Sequence, residues 1–323
     1  MTGLLTKALI VAGALGAFMP LAAAQNFPDR AVKIVVPTAP GGSIDLTGRV
    51  IAEKLQAKWG KPVVVENRPG AAMRLGAEAV QKSPNDGYTI LVAHDGTMAI
   101  NPLVFSDLGY DPQKDFVPLG IVTAIPEALM VNIDVPAKSV VELITLAKKE
   151  PGQLTHASGG SATLLALELF KAMAGLDIRS IPYRGGAPAV TATISGETKM
   201  IIADLATGSA ALQSDRIRTL AVTSMERSKK YPNVPTLNES GVPGYEVNTW
   251  IGFFAPTGTP KDVVTAIEAA IKEAVAMPDV RARFETMGAN VRSGSAEEMR
   301  QVLATDVAKW ATLVKDNNIK IAP

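Results

Sequence analysis

A strand, a glycine turn and a helix start follow one another near the beginning of the chain, and this combination restricts the fold most. Residues 32–36 read Val-Lys-Ile-Val-Val and are closed by Pro37, which predicts a buried strand. Apolar residues then recur at helical spacing from Ile44 to Leu55, and Ser43 is placed to cap the first free N–H groups of that helix. The order of strand, turn and helix is typical of α/β proteins with parallel sheets.

The turn between this strand and helix predicts an anion site. Gly41 and Gly42 have no Cβ, so the backbone can approach a ligand closely. Free N–H groups and the helix dipole point at the same place. The glycine spacing fits neither the dinucleotide nor the P-loop motif, which favours a small carboxylate over a nucleotide phosphate. We expect Asp45 to orient the turn, since its charge suits the helix N-terminus but would repel a bound anion. The alternative is a tight turn with no ligand.

Length and composition limit the classes of protein that remain. A chain of 323 residues predicts two domains, and its 47% hydrophobic content is sufficient for large cores. Residues 1–24 contain one basic residue, so the rest of the chain has 31 basic and 31 acidic residues and no net charge. This balance does not favour a nucleic-acid partner. The absence of cysteine excludes disulfides, thiolate metal sites and cysteine nucleophiles.

The first residues resemble an export signal. Lys7 is followed by the apolar run 8–19 and by Ala-Ala-Ala ending at Ala24, in the order found in secretory signal peptides. We expect cleavage after Ala24, which leaves a mature chain that begins at Gln25 and has no membrane-inserted segment. The alternative is a retained anchor, although the run is short for a bilayer span.

Strands and helices alternate through the rest of the chain, and the opening arrangement is repeated once. A short strand at 154–157 leads into the loop Ser158-Gly159-Gly160-Ser161 and then into a helix. Because ligands of parallel sheets bind at the carboxyl ends of the strands, residues at other strand ends are further candidates. These are His94, Asp95, Gly96 and Thr97, read as a loop, together with Tyr183 and Asp204.

Two longer segments predict a strand and a C-terminal helix. Residues 119–131 are strand-like but interrupted by Pro126, and residues 296–315 predict an amphipathic helix. Its inward positions are Met299, Leu303, Val307, Trp310 and Val314.

An ordered set of short motifs resembles the Bug family, the extracytoplasmic solute receptors of tripartite tricarboxylate transporters. Each motif alone is weak, but the set extends over essentially the whole mature chain. The motifs are Pro37-x-x-Pro-Gly-Gly-x-x-Asp45, Val64-Val-Glu-Asn-Arg-Pro-Gly70, Asp86-Gly-Tyr88, Ile100-Asn-Pro102, Ala157-Ser158, Pro182-Tyr-x-Gly-Gly-x-Pro188, Leu220-Ala-Val-Thr-Ser224 and Val234-Pro-Thr236.

This resemblance implies a fold, a location and a site. The fold is an α/β periplasmic binding protein of the Venus flytrap, type II-like kind, with a mostly parallel sheet flanked by helices in each lobe. Residues 25–125 and 248–323 would form the first lobe, and residues 126–247 the second. Carboxylate-binding turns map onto Ala39 to Ser43 and onto Ser158 to Ser161, and further cleft positions map onto the loop His94 to Thr97 and onto Asp204.

The resemblance also implies partners. The ligand would be a dicarboxylate or an aromatic carboxylate, the other partners would be membrane subunits of a transporter, and no cofactor is expected. The chain departs from the family at Thr38, where an aromatic residue is common, and at His94-Asp95, Leu164 and Ala72-Met73-Arg74. These departures put a simple dicarboxylate in question.

Two other functions are weighed against a binding protein. An exported hydrolase or lyase would use Ser158, Ser161, His94, His156, Asp95 or Asp204, but no G-x-S-x-G elbow occurs. A metal carrier would need clustered ligands, and the two histidines show no ligand spacing. We therefore expect neither a catalytic site nor a metal site.

Overall fold

The computed structural model describes residues 27–316 and Ile319. The expected signal segment 1–24 and its cleavage site lie outside these residues. Within the described part of the chain, no helix is both long and apolar enough to cross a bilayer.

The opening unit forms as predicted. Strand β1 (Val32–Val36) is almost wholly buried, and helix α1 (Ser43–Trp59) packs its apolar face against the sheet. An added Cβ at Gly48 would lie 3.3 Å from Val92 Cγ1, so this glycine lets the helix come close to the strands. The helix ends at Gly60, whose φ of 62° is left-handed and therefore suits glycine.

Strands and helices alternate through most of the remaining chain. In chain order they are β2 (Val63–Asn67), a 3₁₀ turn (Ala71–Met73), α2 (Arg74–Gln81), β3 (Thr89–His94), a π-helical turn (Gly96–Ile100), α3 (Asn101–Val104), β4 (Phe116–Asn132), α4 (Val140–Lys149), β5 (Thr155–Ser158), α5 (Ser161–Ala174), β6 (Arg179–Pro182), α6 (Gly186–Ser195), β7 (Met200–Asp204), α7 (Ser209–Leu212), β8 (Ile217–Val222), β9 (Asn248–Pro256), α8 (Lys261–Ala276), α9 (Pro278–Thr286), β10 (Asn290–Gly294) and α10 (Ala296–Asp316). The successive strands β8 and β9 and the successive helices α8 and α9 interrupt this alternation.

Two sheets share one long strand, which gives the predicted α/β fold with two lobes. The first sheet has the order β2-β1-β3-β9-β4, with β10 on the far side of β4. The second has the order β4-β7-β5-β6, with β8 on the other side of β4. The pairs β1–β2, β1–β3, β5–β6 and β5–β7 are parallel, whereas β4 and β9 form antiparallel pairs.

Strand β4 changes partners in its middle. Pro126 is still in register with Asn248 of β9, whereas Glu127 is in register with Asp204 of β7. The expected interruption at Pro126 is wrong, because the proline stands where the strand moves from one ladder to the next and the strand continues through it. We propose that the boundary between the lobes follows this switch, at 125/126 in β4 and at 247/248 before β9.

The C-terminal helix packs as predicted. In α10, which lies against β4, Met299, Leu303 and Trp310 are buried, and Val307 and Val314 are partly buried against the same core. Trp250 is also buried and donates its indole N–H to Asp306.

Three local features differ from what the sequence indicates. The loop predicted at 94–97 begins a helical turn, because His94 still belongs to β3 and the π-helical turn starts at Gly96. The segment that leads into α2 is a 3₁₀ turn in which Ala71, Ala72 and Met73 have left-handed φ angles of 46°, 51° and 74°. Strand β10 was not expected, since its sequence, Asn-Val-Arg-Ser-Gly, has no apolar alternation.

Candidate ligand-binding cleft

Turns from both lobes meet at the carboxyl ends of four strands and enclose a cavity. They follow β1, β3, β5 and β7, which is where ligands of open α/β sheets bind. The residues that line the cavity are Thr38, Gly42, Ser43, Ile44, Met73, His94, Glu127, Gly159, Gly160, Ala162, Thr163, Gly186, Ala203, Asp204, Thr207 and Thr249.

The turn after β1 brings the N-terminus of α1 against the second lobe. The expected capping role of Ser43 is wrong, because Gly42 is the N-cap and Ser43 is already helical. Ser43 instead reaches across the cleft: its N–H donates to Thr207 Oγ1 at 2.9 Å, and its hydroxyl donates to Asp204 Oδ2 at 2.9 Å. The two lobes are therefore in direct contact at this helix terminus.

The two glycines of this turn differ. Gly41 has a φ of 93°, which only glycine adopts easily, whereas Gly42 has an ordinary φ of −81°. A Cβ on Gly42 would meet only Thr207 Oγ1, at 3.7 Å. The backbone requirement for glycine thus lies at Gly41.

Asp45 holds this turn in place without lining the cavity. Its carboxylate accepts hydrogen bonds from Gly41 N at 3.0 Å, Arg49 Nε at 3.0 Å and Asn67 Nδ2 at 2.9 Å. Burial opposes the charged form, but the bonds from Arg49, Gly41 and Asn67 outweigh it and lower the pKa of Asp45. The geometry agrees with an orienting role.

The turn after β5 places the N-terminus of α5 at the same cavity from the second lobe. Gly159 N donates to Thr163 Oγ1 at 2.9 Å, and the Ser158 hydroxyl donates to Gly160 O at 2.9 Å. The first bond joins the turn to the first residues of α5, and the second lies within the turn. Ser161 crosses the cleft, since its hydroxyl donates to Gly96 O at 3.1 Å.

The last residue of β3 contributes a neutral imidazole. His94 is buried, and burial lowers its pKa to about 4. Its Nδ1 accepts from Thr97 N at 3.3 Å, so the neutral ring carries its proton on Nε2. The neighbouring Asp95 is also buried, which raises its pKa well above the usual range, and it does not line the cavity.

Two carboxyl groups line the cleft, the buried Glu127 and the partly buried Asp204, and sequence reasoning missed Glu127. Glu127 Oε1 accepts from Thr249 Oγ1 at 2.9 Å, and burial raises the pKa of Glu127 to about 8. Asp204 accepts from Ala206 N at 3.1 Å and Thr207 N at 2.9 Å, and burial raises its pKa as well. Glu127 is the only charged residue in the apolar run 119–131, which is a signal that could have singled it out.

The predicted site residues divide into two sets. The first set lines the cavity and consists of Gly42, Ser43, His94, Gly159, Gly160 and Asp204. The second set does not line it and consists of Ala39, Gly41, Asp45, Asp95, Gly96, Thr97, Ser158, Ser161 and Tyr183.

Tyr183, in the second set, lies outside the cavity. Its hydroxyl donates to Glu197 Oε1 at 2.8 Å, and the residue lines an adjoining outer groove that shares Met73 and Gly159 with the cavity. Besides Glu127, the lining residues that the sequence did not indicate include three threonines, whereas the other threonine and the methionine of the left-handed segment are positions at which the chain departs from the family. The three are Thr163, Thr207 and Thr249, and the departures are Thr38 and Met73.

Both histidines accept hydrogen bonds from the backbone. Among the described residues, neither histidine hydrogen-bonds a serine hydroxyl: His94 Nδ1 accepts from Thr97 N, and His156 Nε2 accepts from Ile202 N at 3.0 Å. In the same part of the chain, no group of three or more His, Asp or Glu is placed to hold a metal ion. The cavity offers helix N-termini, hydroxyl groups and two carboxyl groups, and no described Lys or Arg lines it.

Comparison with known proteins gives consistent matches. Residues 47–319 match the family described as the tripartite tricarboxylate transporter family receptor. Protein BugT of Bordetella pertussis is 32% identical over 323 residues, covering 98% of this chain and 99% of that protein.

Solved structures agree with this match. The structure described as R. palustris Rpa4515 with adipate has a TM-score of 0.88 and 34% identity, covering 91% of this chain and 99% of that one. MatC of Rhodopseudomonas palustris, described with bound malate, has a TM-score of 0.86 and 31% identity, covering 89% and 100%.

Proposed function

The chain belongs to the tripartite tricarboxylate transporter receptor family, and from this premise we propose that it captures a small carboxylate between its two lobes. One observation carries the proposal: the N-termini of α1 and α5, from opposite lobes, line the same cavity. In each helix the first-turn N–H groups have no acceptor within the helix. The two termini therefore offer donors and positive dipole ends to one bound anion.

Energetics support the use of both lobes. A hydrogen bond to a charged group contributes roughly 1.5–3 kcal/mol, and a helix terminus adds about 0.3–1 kcal/mol. One anchor with two donors therefore gives about 3–7 kcal/mol, which the cost of association largely cancels. Since micromolar affinity needs about −8 kcal/mol net, a second anchor from the facing lobe is required.

The contacts of Ser43 suggest how a ligand enters this arrangement. The Asp204 carboxyl now accepts the Ser43 hydroxyl at the N-terminus of α1, where we propose that a ligand carboxylate binds. A ligand would take over that hydroxyl and bridge the lobes in place of Asp204. It stabilises the closed form because it contacts both lobes only there.

The remaining assignments follow from the family. The proteins of similar structure bind adipate and malate, so a small dicarboxylate or aromatic carboxylate is the ligand class to test first. We propose that the protein is exported after cleavage behind Ala24, works in the periplasm and delivers its ligand to membrane subunits of a transporter. It has no catalytic role in this proposal, because both histidines are neutral, buried and bonded to backbone N–H groups.

A panel of carboxylates tests the proposal. Ligands present at 100 times their Kd should stabilise the folded protein by about 2.7 kcal/mol, measured as a rise in Tm, while the corresponding neutral amides should leave Tm unchanged. Chromatography of the same mixtures should show no product. Steady turnover of a panel member, or equal shifts with acids and amides, would contradict the proposed function.

A further inference from the structure

One carboxyl oxygen in the cleft has no hydrogen-bond partner among the described residues. Glu127 is 1% exposed and lines the cavity, and its Oε1 accepts from Thr249 Oγ1 at 2.9 Å. Its Oε2 is buried and has no partner in the described part of the chain. What this oxygen offers a ligand depends on its proton, since an ionised carboxyl group only accepts hydrogen bonds whereas a protonated one also donates.

The contacts of Glu127 and Asp204 decide which of the two carboxyl groups holds a proton. The two residues are partners in the antiparallel pairing of β4 and β7, so their side chains project to the same face. Asp204 accepts hydrogen bonds at both oxygens, from Ala206 N, Thr207 N and the Ser43 hydroxyl. Such bonds favour the charged form, and the charge of Asp204 in turn disfavours the ionisation of Glu127. Glu127 is therefore the group that retains its proton.

No positive group in the described lining of the cavity reverses this balance. No described Lys or Arg lines it, and His94 is neutral. The cation that acts on Glu127, Lys309 of α10, donates to Glu246 O. Burial accordingly raises the pKa of Glu127 to about 8. The other titratable groups in this region are acids, namely Asp95, Tyr245 and Asp306.

A protonated Glu127 presents a donor to the cavity. The Thr249 hydroxyl donates to Oε1, which leaves the proton on Oε2. A buried O–H without an acceptor costs free energy, so this group indicates an acceptor that the ligand supplies. A carboxylate oxygen suits it, because an O–H that donates to a charged oxygen forms a short and strong hydrogen bond.

We propose that Glu127 binds the ligand in its protonated form, donating from Oε2 to a ligand carboxylate oxygen, so that carboxylate binding is linked to a proton held in the cleft. This inference rests on the proposed function, since it assigns a residue and a proton to the same cleft. An ionised Glu127 would face the bound anion with a like charge and no donor. Affinity is therefore highest where Glu127 is protonated, and it falls as the pH rises through the pKa of Glu127 in the ligand-free protein.

Calorimetry at two pH values tests the inference. The probe is the acid that binds most tightly in a panel of malate, succinate, adipate and benzoate, which are largely ionised above pH 6.5. Because the pKa of Glu127 is about 8, the Kd of the wild-type protein should rise at least about tenfold between pH 6.5 and pH 9. At pH 9, titrations in two buffers of different ionisation enthalpy should show the uptake of about one proton per bound ligand.

Two variants assign this proton. Glu127→Gln keeps an oxygen for Thr249 and replaces the O–H by an amide N–H donor that does not titrate. Its Kd at pH 6.5 should stay within about threefold of the wild-type value, and both the pH dependence and the proton uptake should be lost. The exposed Glu150 provides the matched control, since Glu150→Gln should keep both.

The possible results separate this inference from the function on which it rests. If the wild-type Kd is the same at both pH values, or if its pH dependence survives in Glu127→Gln, the inference is overturned while carboxylate binding stands. If no acid of the panel binds to the wild-type protein at either pH, the proposed function fails and the inference fails with it.

Discussion

Carboxylate binding will be lost in a Gly159→Ala variant. A Cβ at this position would lie 2.7 Å from both Cα and N of Gly186, which are backbone atoms and cannot turn away. The turn after β5 must therefore separate from the first residue of α6, and the N-terminus of α5 moves out of the cleft. The loss of about two hydrogen bonds to a charged group corresponds to roughly 3–6 kcal/mol, so we expect the Kd to rise at least about 100-fold.

The other end of the same helix provides the control. Gly175 follows α5 with a φ of 66°, and nothing lies within 4 Å of a Cβ added there. Gly175→Ala should cost about 1–2 kcal/mol of stability through its left-handed backbone and leave the Kd unchanged. Calorimetry gives the affinities, and circular dichroism establishes that both variants are folded. Wild-type affinity in folded Gly159→Ala would show that the α5 terminus does not bind the ligand.

The stability of the ligand-free protein should fall as the pH rises, and Glu127 should cause much of the fall. Burial raises the pKa of Glu127 in the folded protein from its ordinary 4.5 to about 8, the Asp204 charge adds to this, and Thr249 and Lys309 act against it. A raised carboxyl pKa means that the folded state retains its proton more tightly. The associated stability is therefore complete below pH 4.5 and is lost as the pH rises through about 8.

The size of this loss in the free energy of unfolding follows from the shift in the pKa of Glu127. The full effect is roughly 4–5 kcal/mol between pH 4 and pH 9, and Glu127→Gln removes it. Asp204 and Asp95 also have raised pKa values, so part of the dependence should remain in the variant. Urea unfolding of both proteins across this range measures the difference, and small-angle scattering separates opening of the cleft from unfolding. Parallel pH profiles for the two proteins would contradict a buried, proton-retaining Glu127.

Patterns of apolar residues were sufficient to predict most of the fold. The buried run 32–36 and the apolar spacing in α1 and α10 each reflect one face against one sheet, and such faces are visible in a sequence. The interruption expected at Pro126 was wrong because a proline normally disfavours the interior of a strand. Here β4 changes its hydrogen-bonded partner from β9 to β7 at this residue, and a proline is tolerated at that point. Strand β10 forms by pairing with β4, and its own sequence has no pattern that predicts a strand.

The parts of the site that depend on local backbone geometry could be predicted from the sequence. The parts that depend on contacts between distant segments could not. The glycine turns at 41–42 and 159–160 follow from local chemistry. The bonds of Ser43 to Thr207 and Asp204 join residues more than 160 positions apart, and no local pattern encodes them. Glu127 was overlooked because an acid within an apolar strand gives no indication of which cavity it faces.

A crystal structure with a bound carboxylate tests the central claim most directly, using whichever panel acid gives the largest rise in Tm. We expect the carboxylate oxygens within about 3.2 Å of first-turn N–H groups of α1, with the other end of the ligand in contact with the second lobe at α5 or at Glu127. A ligand bound in the outer groove beside Tyr183, or one that contacts a single lobe, would contradict the claim that this cleft is the binding site.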